Sequence, residues 1–240
     1  MIREFVSGGS AAVRAFLRPP RGRSAEAGEP EPPRRGDVDF GDLRRLTPIS
    51  RHWGFDRGLP VERHYIESFL RRHAHDIRGS VLEAGDSAYT RRFGGRRVTD
   101  SDVLHRTPGA EGATIIADLA SAEHVPSDRY DCIVLTQTLQ FVYDVPAAMR
   151  TLHRILKPHG VLLLTVPGIT QTSHDEWRSS WYWSFTLIAL ARIAGEAFPP
   201  ASFTVQSHGN VLAAIAFLHG VAASELRRDE LRAHDPDYPV

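Results

Sequence analysis

Lysine is nearly absent from this chain of 240 residues: Lys157 is the only one, and every other basic side chain is an arginine. Basic and acidic residues balance at 29 each, so the formal net charge is zero. No polybasic surface is available to draw in phosphate backbones or anionic lipid, and no nucleic-acid or membrane partner is expected. Cysteine is scarce as well. Cys132 stands alone, which excludes an intrachain disulfide and suits a reducing compartment, so a cytoplasmic location is expected. It sits in an apolar run and reads as a small core residue rather than a nucleophile. Long apolar runs are missing. The longest, "VLAAIAFL" (211–218), falls well short of the roughly 20 residues that cross a bilayer. The first residues show no uninterrupted apolar segment of secretory type, since Arg14 and Arg18 flank only "AFL". Histidine is plentiful at 12 residues, yet no pair has a metal-binding spacing with a third ligand, so no metal is expected.

What is present divides the chain in two. Residues 1–40 include "RPPRGRSAEAGEPEPPRRGD" (18–37), which has almost no large apolar side chain to offset its ordering entropy. This segment reads as a disordered Pro/Arg-rich N-terminal tail, with a short helix at "SAAVRAFL" (10–17). Residues 41–240, with an overall apolar content of 42 % behind them, read as one folded domain. "GLPVERHYIESFLRRHA" (58–74) predicts an amphipathic helix with Pro60 in its first turn and Tyr65, Ile66, Phe69 and Leu70 on one face.

From residue 80 the pattern alternates in a βα rhythm. Strands are expected at "SVLEAG" (80–85), "RRVTDSDVL" (96–104), "ATIIADLA" (113–120), "YDCIVLTQTL" (130–139), "VLLLTVPG" (161–168) and "ASFTVQSHG" (201–209). Helices are expected at "DVPAAMRTLHRIL" (144–156), in the latter half of 181–198, and at 210–226, with "LKPHG" (156–160) as a helix stop and turn. The fourth and fifth strands are apolar throughout, as in a parallel sheet covered on both faces. The fold class is therefore α/β, a mostly parallel sheet with helices on both faces. Ligands then bind outside the carboxyl ends of the strands, at the topological switch point.

Chemistry-bearing residues fall at successive strand ends. Glu83 and Gly85 close the first strand, Asp102 the second, Asp118 and Leu119 the third, and Thr136 and Gln137 the fourth. A glycine lets a ligand approach the backbone, and the next helix N-terminus offers free N–H groups. An acid about 20 residues further on can accept both hydroxyls of a ribose. Asp102 lies 17 residues after Gly85, with Asp100 on the same strand face as its competitor. Asp118 also reads as an ordinary N-cap. Trp177, Trp181, Tyr182, Trp183 and Phe185 form an aromatic cluster that could line a substrate pocket or pack as a lid. His174 is the candidate general base, because its loop follows the fifth strand.

In order and spacing, "VLEAG", "SDVL", "ADLA", "YDCIVLTQTLQFVYD", "LKPHGVLLLTVPG" and "YWSFT" resemble the class I S-adenosylmethionine-dependent methyltransferases, nearest the type-11 group, over about residues 60–208. The flanking pieces resemble a bacterial subgroup often encoded near glycosyltransferases. The resemblance implies a Rossmann-like class I methyltransferase fold for 41–240 and S-adenosyl-L-methionine as cofactor. It further implies methyl transfer to a hydroxyl, or another nucleophile, of a small-molecule or sugar acceptor. It places Glu83 and Gly85 against the methionine and ribose, Asp102 on the ribose hydroxyls, Asp118 at the adenine amine and Leu119 on the ring. Thr136 and Gln137 border the sulfonium, and Arg63 and Tyr65 cover the cofactor carboxylate.

The chain departs from this pattern in two places. The family's turn has glycine at the positions of Gly85, Ser87 and Tyr89, and only the first is glycine here. Its last, antiparallel strand should begin where "DPDYPV" (235–240) stands, so that strand is expected to be very short or absent, leaving an edge on which a homodimer could form. The altered "GDSAY" turn supports an alternative: a methyltransferase-fold protein with a degenerate cofactor loop, acting as a non-catalytic binding or scaffold protein. A second alternative is an enzyme using the same site for different chemistry, such as a cyclisation.

Overall fold

The computed structural model describes residues 12–13, 31–173 and 176–240. Its elements, in chain order, are β1 (Ala12–Val13), α1 (Val61–Arg72), β2 (Gly79–Ala84), β3 (Val98–His105), β4 (Ile115–Ile116), β5 (Tyr130–Thr136), α2 (Val145–Ile155), β6 (Leu156–Thr165), α3 (Leu187–Ala197), α4 (Val211–His219) and α5 (Arg228–Arg232). The strands form one sheet in the order β1-β6-β5-β2-β3-β4, parallel at every junction. The chain enters at β2, steps outward through β3 and β4, and returns to β5 on the other side. The switch point therefore lies between β2 and β5, where the carboxyl ends of the strands open a crevice. β1 adds a short edge beside β6, Ala12 opposite Val161, within the segment that composition assigns to a tail. The rest of the helix expected at 10–17 lies outside the described residues.

The apolar runs cover both faces, as their composition demands. On one face Val81, Cys132, Val134 and Leu163 meet Ile66 and Leu70 of α1. On the other, Leu82, Ile133, Leu135 and Leu162 meet Met149 and Leu152 of α2 and Ala194 in α3. Each such aliphatic side chain contributes about 1.5–3 kcal/mol when fully buried. Burial also pushes the Cys132 thiol up, as fits an inert core residue. α2 starts where the sequence indicates: Asp144 accepts from the Ala147 N–H at 2.9 Å, with Pro146 in the first turn. Pro60 caps α1 from outside rather than entering its first turn.

Three expectations are corrected, on 201–209, "LKPHG" and 210–226. The stretch 201–209 is not a strand. It runs irregularly, and its carbonyls accept from the last residues instead, Val240 N–H to His208 O and Asp235 N–H to Gly209 O, both at 2.9 Å. Residues 235–240 form no strand, in line with the expectation of a very short or absent one, and lie between that segment and residues 168–169. "LKPHG" ends the helix, but continues as an irregular start of β6, with His159 in left-handed backbone (φ 66°) where the related turn has glycine. The expected 210–226 helix stops at His219, capped by Gly220 at φ 68°, and α5 follows unannounced.

The connections on the β3–β4 flank are shorter than a βα repeat implies. A single π-helical turn, Thr90–Gly94, and a 3-10 turn, Gly95–Arg97, link β2 to β3. Position 94 admits only glycine, since a Cβ there would lie 2.5 Å from Val98 and 2.8 Å from Ile77, and the helical turn ends where Gly95 takes positive φ (56°). Only a 3-10 turn, Leu119–Ser121, joins β4 to β5. Arg154 of α2 holds that connection, donating to the carbonyls of Ala122 and Val125 at 2.7 and 2.6 Å. Among the described residues no helix is long and apolar enough to cross a membrane.

Candidate functional site

The turn after β2 is built from within. Glu83 is buried, and its carboxylate accepts from the N–H groups of Tyr89 (3.1 Å) and Thr90 (2.7 Å). Burial pushes its carboxyl up, against the pull of the Thr90 and Tyr89 donors. Glu83 thus shapes the turn from below. Gly85 has φ 90°, and a Cβ there would meet nothing within 4 Å. The glycine is required by its backbone, not by packing, and the space above it is open to a ligand. Tyr89, which stands where the family has glycine, turns away from that space. Its ring packs on Phe93, and its hydroxyl accepts from Arg63 at 3.3 Å.

Asp102 is the main correction. It lies three residues before the end of β3, opposite Leu82. Its carboxylate accepts from Thr114 Oγ1 at 2.6 Å, Arg129 at 2.5 Å and the Tyr130 hydroxyl at 3.0 Å. With its side chain only 10 % exposed, it is a structural anchor of the sheet and does not open onto the crevice. Asp100 is exposed and takes a bond from Ser80 Oγ, still further from the strand end. The residues level with Gly85 are Leu104, whose carbonyl accepts the Gly85 N–H at 2.9 Å, and then His105. The structure places Asp118 as the N-cap of the 3-10 turn, accepting from the Ala120 N–H at 2.9 Å, with Arg106 Nε at 3.4 Å. Leu119 is buried in the core beneath it, so it presents no ring-sized surface to the crevice.

At the end of β5, Thr136 and Gln137 face the switch point. Gln137 is held at φ 46°, a conformation costly for a non-glycine residue and typical of ligand clamps. Its N–H donates to Thr165 O at 3.0 Å, and its carbonyl accepts from Gln140 at 3.0 Å. Beside it opens a cavity of about 280 Å³ between α1, the ends of β5 and β6, and the start of α3. Glu62, Tyr65, Gln137, Thr165, Phe185 and His208 are among its walls. Tyr65 lines the cavity with its ring, stacked on His208 at 5.8 Å, while its hydroxyl donates away, to Leu231 O at 3.1 Å. It is therefore a wall and not a carboxylate donor. Of the five aromatics only Phe185 borders the cavity. Trp177 and Trp181 pack on Phe141, and Tyr182 and Trp183 on Tyr143. His174 lies outside the described residues. Sequence reasoning missed Glu62, Thr165 and His208. An acid in a first helical turn reads as dipole complementation, and nothing local announces that it is buried.

A cofactor that binds at strand ends fits part of this arrangement. The open space over Gly85, the strained Gln137 and the Arg63 guanidinium near the turn suit it. The ribose contact expected of Asp102 does not, because that carboxylate is already fully engaged.

Residues 58–198, more than half of the chain, match the methyltransferase domain family. No curated protein matches the chain. Among solved structures, the chain is similar to an S-adenosylmethionine-dependent methyltransferase from Mesorhizobium loti (20 % identity over 48 % of this chain and 56 % of that one, TM-score 0.37). It is also similar to the N-methyltransferase NodS from Bradyrhizobium japonicum in complex with S-adenosyl-L-homocysteine (21 %, 45 % and 63 %, TM-score 0.37). A third is the [4+2]-cyclase SpnF (16 %, 56 % and 55 %, TM-score 0.42). The chain spans less than two thirds of the length of each of these structures, 56 %, 63 % and 55 %.

Proposed function

The chain belongs to the methyltransferase domain family, whose class I members use S-adenosyl-L-methionine, and we propose from this premise that it moves a methyl group to a hydroxyl, or other nucleophile, of a small molecule or sugar. One observation carries the reading: the left-handed, uncovered Gly85 stands at the switch point, across from Thr136 and the strained Gln137. Gly85 would admit the cofactor to the backbone, Arg63 would meet its carboxylate, and Thr136 and Gln137 would border its reactive end. When bound, the cofactor supplies an electrophilic methyl on sulfur. The protein's part is to align the acceptor, exclude water and receive a proton. Alignment of this kind contributes roughly 7–11 kcal/mol to such reactions. A cytoplasmic location belongs to the same proposal, as does a homodimer, for which the exposed Val211, Leu212, Ile215 and Leu218 of α4 offer an apolar face.

The internal engagement of Asp102 favours one rival, a non-catalytic binding protein that kept the fold. Calorimetric titration with S-adenosyl-L-homocysteine separates the two. We expect saturable binding, weakened about tenfold in Gly85→Ala, whose new Cβ would occupy the ligand side of the turn (a tenfold change is about 1.4 kcal/mol). Absence of binding at millimolar ligand in the folded wild type would give the rival first place.

A further inference from the structure

Of the apolar face of α4, the aromatics around residues 141–143 and the cavity under α1, only the cavity sets a buried, unpartnered carboxylate oxygen and a buried, unpartnered hydroxyl in its walls. Glu62 stands in the first turn of α1, yet its side chain is only 11 % exposed, and Oε2 is buried with no hydrogen-bond partner. Arg63 Nε lies 3.6 Å from Oε1, close enough for attraction but too far for a hydrogen bond. On the opposite wall, at the end of β6, Thr165 Oγ1 is likewise buried and unpartnered. Leaving such atoms unpaired is costly. A ligand hydroxyl in the cavity would supply a partner that the protein itself does not offer to these atoms.

The electrostatics agree. Burial lifts the Glu62 carboxyl to about 7, against the opposing pull of the Arg63 guanidinium and of the Glu62 and Arg63 amides. A carboxylate in that range suits proton transfer at neutral pH. Tyr65 and Arg72 of α1, His73 just after it and His208 from the segment before α4 also line the cavity. Burial, with Arg72 and His234 nearby, pushes His208 down to about 4, so it stays neutral. Glu62 is the only side-chain carboxylate among the described lining residues, with Val240 also in the wall.

We propose that this cavity is the acceptor pocket and that Glu62 receives the proton of a hydroxyl carried on a compact, mostly apolar molecule; the proposal rests on the methyltransferase reading above. Ile66, Phe69, Phe185, Leu190 and Val205 make much of the wall apolar, with Thr186, Gln206 and Ser207 among its polar members. A volume of about 280 Å³ sits at the low end for small-molecule sites. Both features suit a phenol-like compound better than an unmodified sugar. Gln137 belongs to the cavity and to the switch-point crevice alike, so a molecule in the cavity abuts the cofactor side. In the reaction the hydroxyl proton passes to Glu62 Oε2, and the acceptor oxygen forms a bond to the methyl carbon. The methyl–sulfur bond breaks, its electron pair staying on sulfur, and the Glu62 proton then leaves to solvent.

The test uses the full chain, phenol and methyl glucoside as probes, and S-adenosyl-L-homocysteine as a separate ligand. Phenol should bind saturably and methyl glucoside should not. Glu62→Ala should weaken phenol about tenfold or more, while Glu62→Gln, which keeps the shape and hydrogen-bonding capacity, should leave phenol binding near wild type. With S-adenosyl-L-methionine, wild-type turnover should rise through about pH 7, and Glu62→Gln should lose roughly 100-fold in kcat at nearly unchanged KM, within the range of general-base contributions. No phenol binding, phenol binding unaffected in folded Glu62→Ala, equal binding of the glucoside, or full turnover in Glu62→Gln would each overturn the proposal. If the homocysteine ligand fails to bind while phenol binding still depends on Glu62, the methyl-transfer reading and the proton-acceptor role fall and the pocket assignment stands.

Discussion

The two flanks of the sheet treat their polar side chains in opposite ways. On the β3–β4 flank every prominent acid is answered from inside: Asp102 by Thr114, Arg129 and Tyr130, and Asp118 by the Ala120 N–H and Arg106. On the α1–β6 flank Glu62 Oε2 and Thr165 Oγ1 are buried without a hydrogen-bond partner around a cavity. The lesson is that an acid near a strand end is not by that fact a ligand. Polarity that the fold has already satisfied holds the fold together, while unsatisfied polarity that lines a cavity is where a ligand has most to gain.

Asp102→Ala should break this contrast most visibly, because it strands Arg129 and the Tyr130 hydroxyl. Losing one partner of a buried pair costs about 3–5 kcal/mol; with Arg129 partly exposed we expect roughly 2–3 kcal/mol in urea unfolding. If stability is unchanged and only cofactor binding suffers, Asp102 belongs to the site and the contrast fails.

Glu62→Gln probes the other flank with the opposite sign. A carboxyl raised from 4.5 to about 7 makes the folded state bind the extra proton, so its cost to stability is absent below pH 4.5, grows as pH rises, and is complete above 7. The variant should match wild type at acid pH and exceed it by roughly 1–2 kcal/mol above pH 8. His208, lowered to about 4, works the other way, withdrawing stability as pH falls from 6.5 toward 4. The difference between variant and wild type across pH therefore isolates Glu62. A variant less stable than wild type above pH 8 would mean that the carboxylate is stabilised there after all.

The smallest effect belongs to Arg106→Ala. Its ion pair with Asp118 has side chains 60 % and 37 % exposed, and an exposed pair is worth at most about 1 kcal/mol. We expect less than about 0.5 kcal/mol in thermal unfolding. A larger loss would show that the β4 end relies on charge and not on the Asp118 cap.

Much of the architecture was readable because it depends on near neighbours. The helical spacing of Ile66 and Leu70, the Asp144-Val145-Pro146 start of α2, and the unbroken apolar character of 130–136 each announce an element and its buried face. So does Gly85 after an apolar strand. The stretch 201–209 misled because its alternating apolar residues fit a strand, whereas no neighbouring strand among the described residues offers it a ladder. Its bonds go to the segment at 235–240 instead.

Sequence by itself determined the βα order, the parallel sheet and the glycine turn at the switch point, because period and turn chemistry act over a few residues. Only tertiary structure decided which acids are free. Asp102 meets an arginine 27 residues away, and Glu62 meets none within hydrogen-bond reach. Desolvation and partnership arise when distant segments close over a side chain, and no local pattern records which will do so.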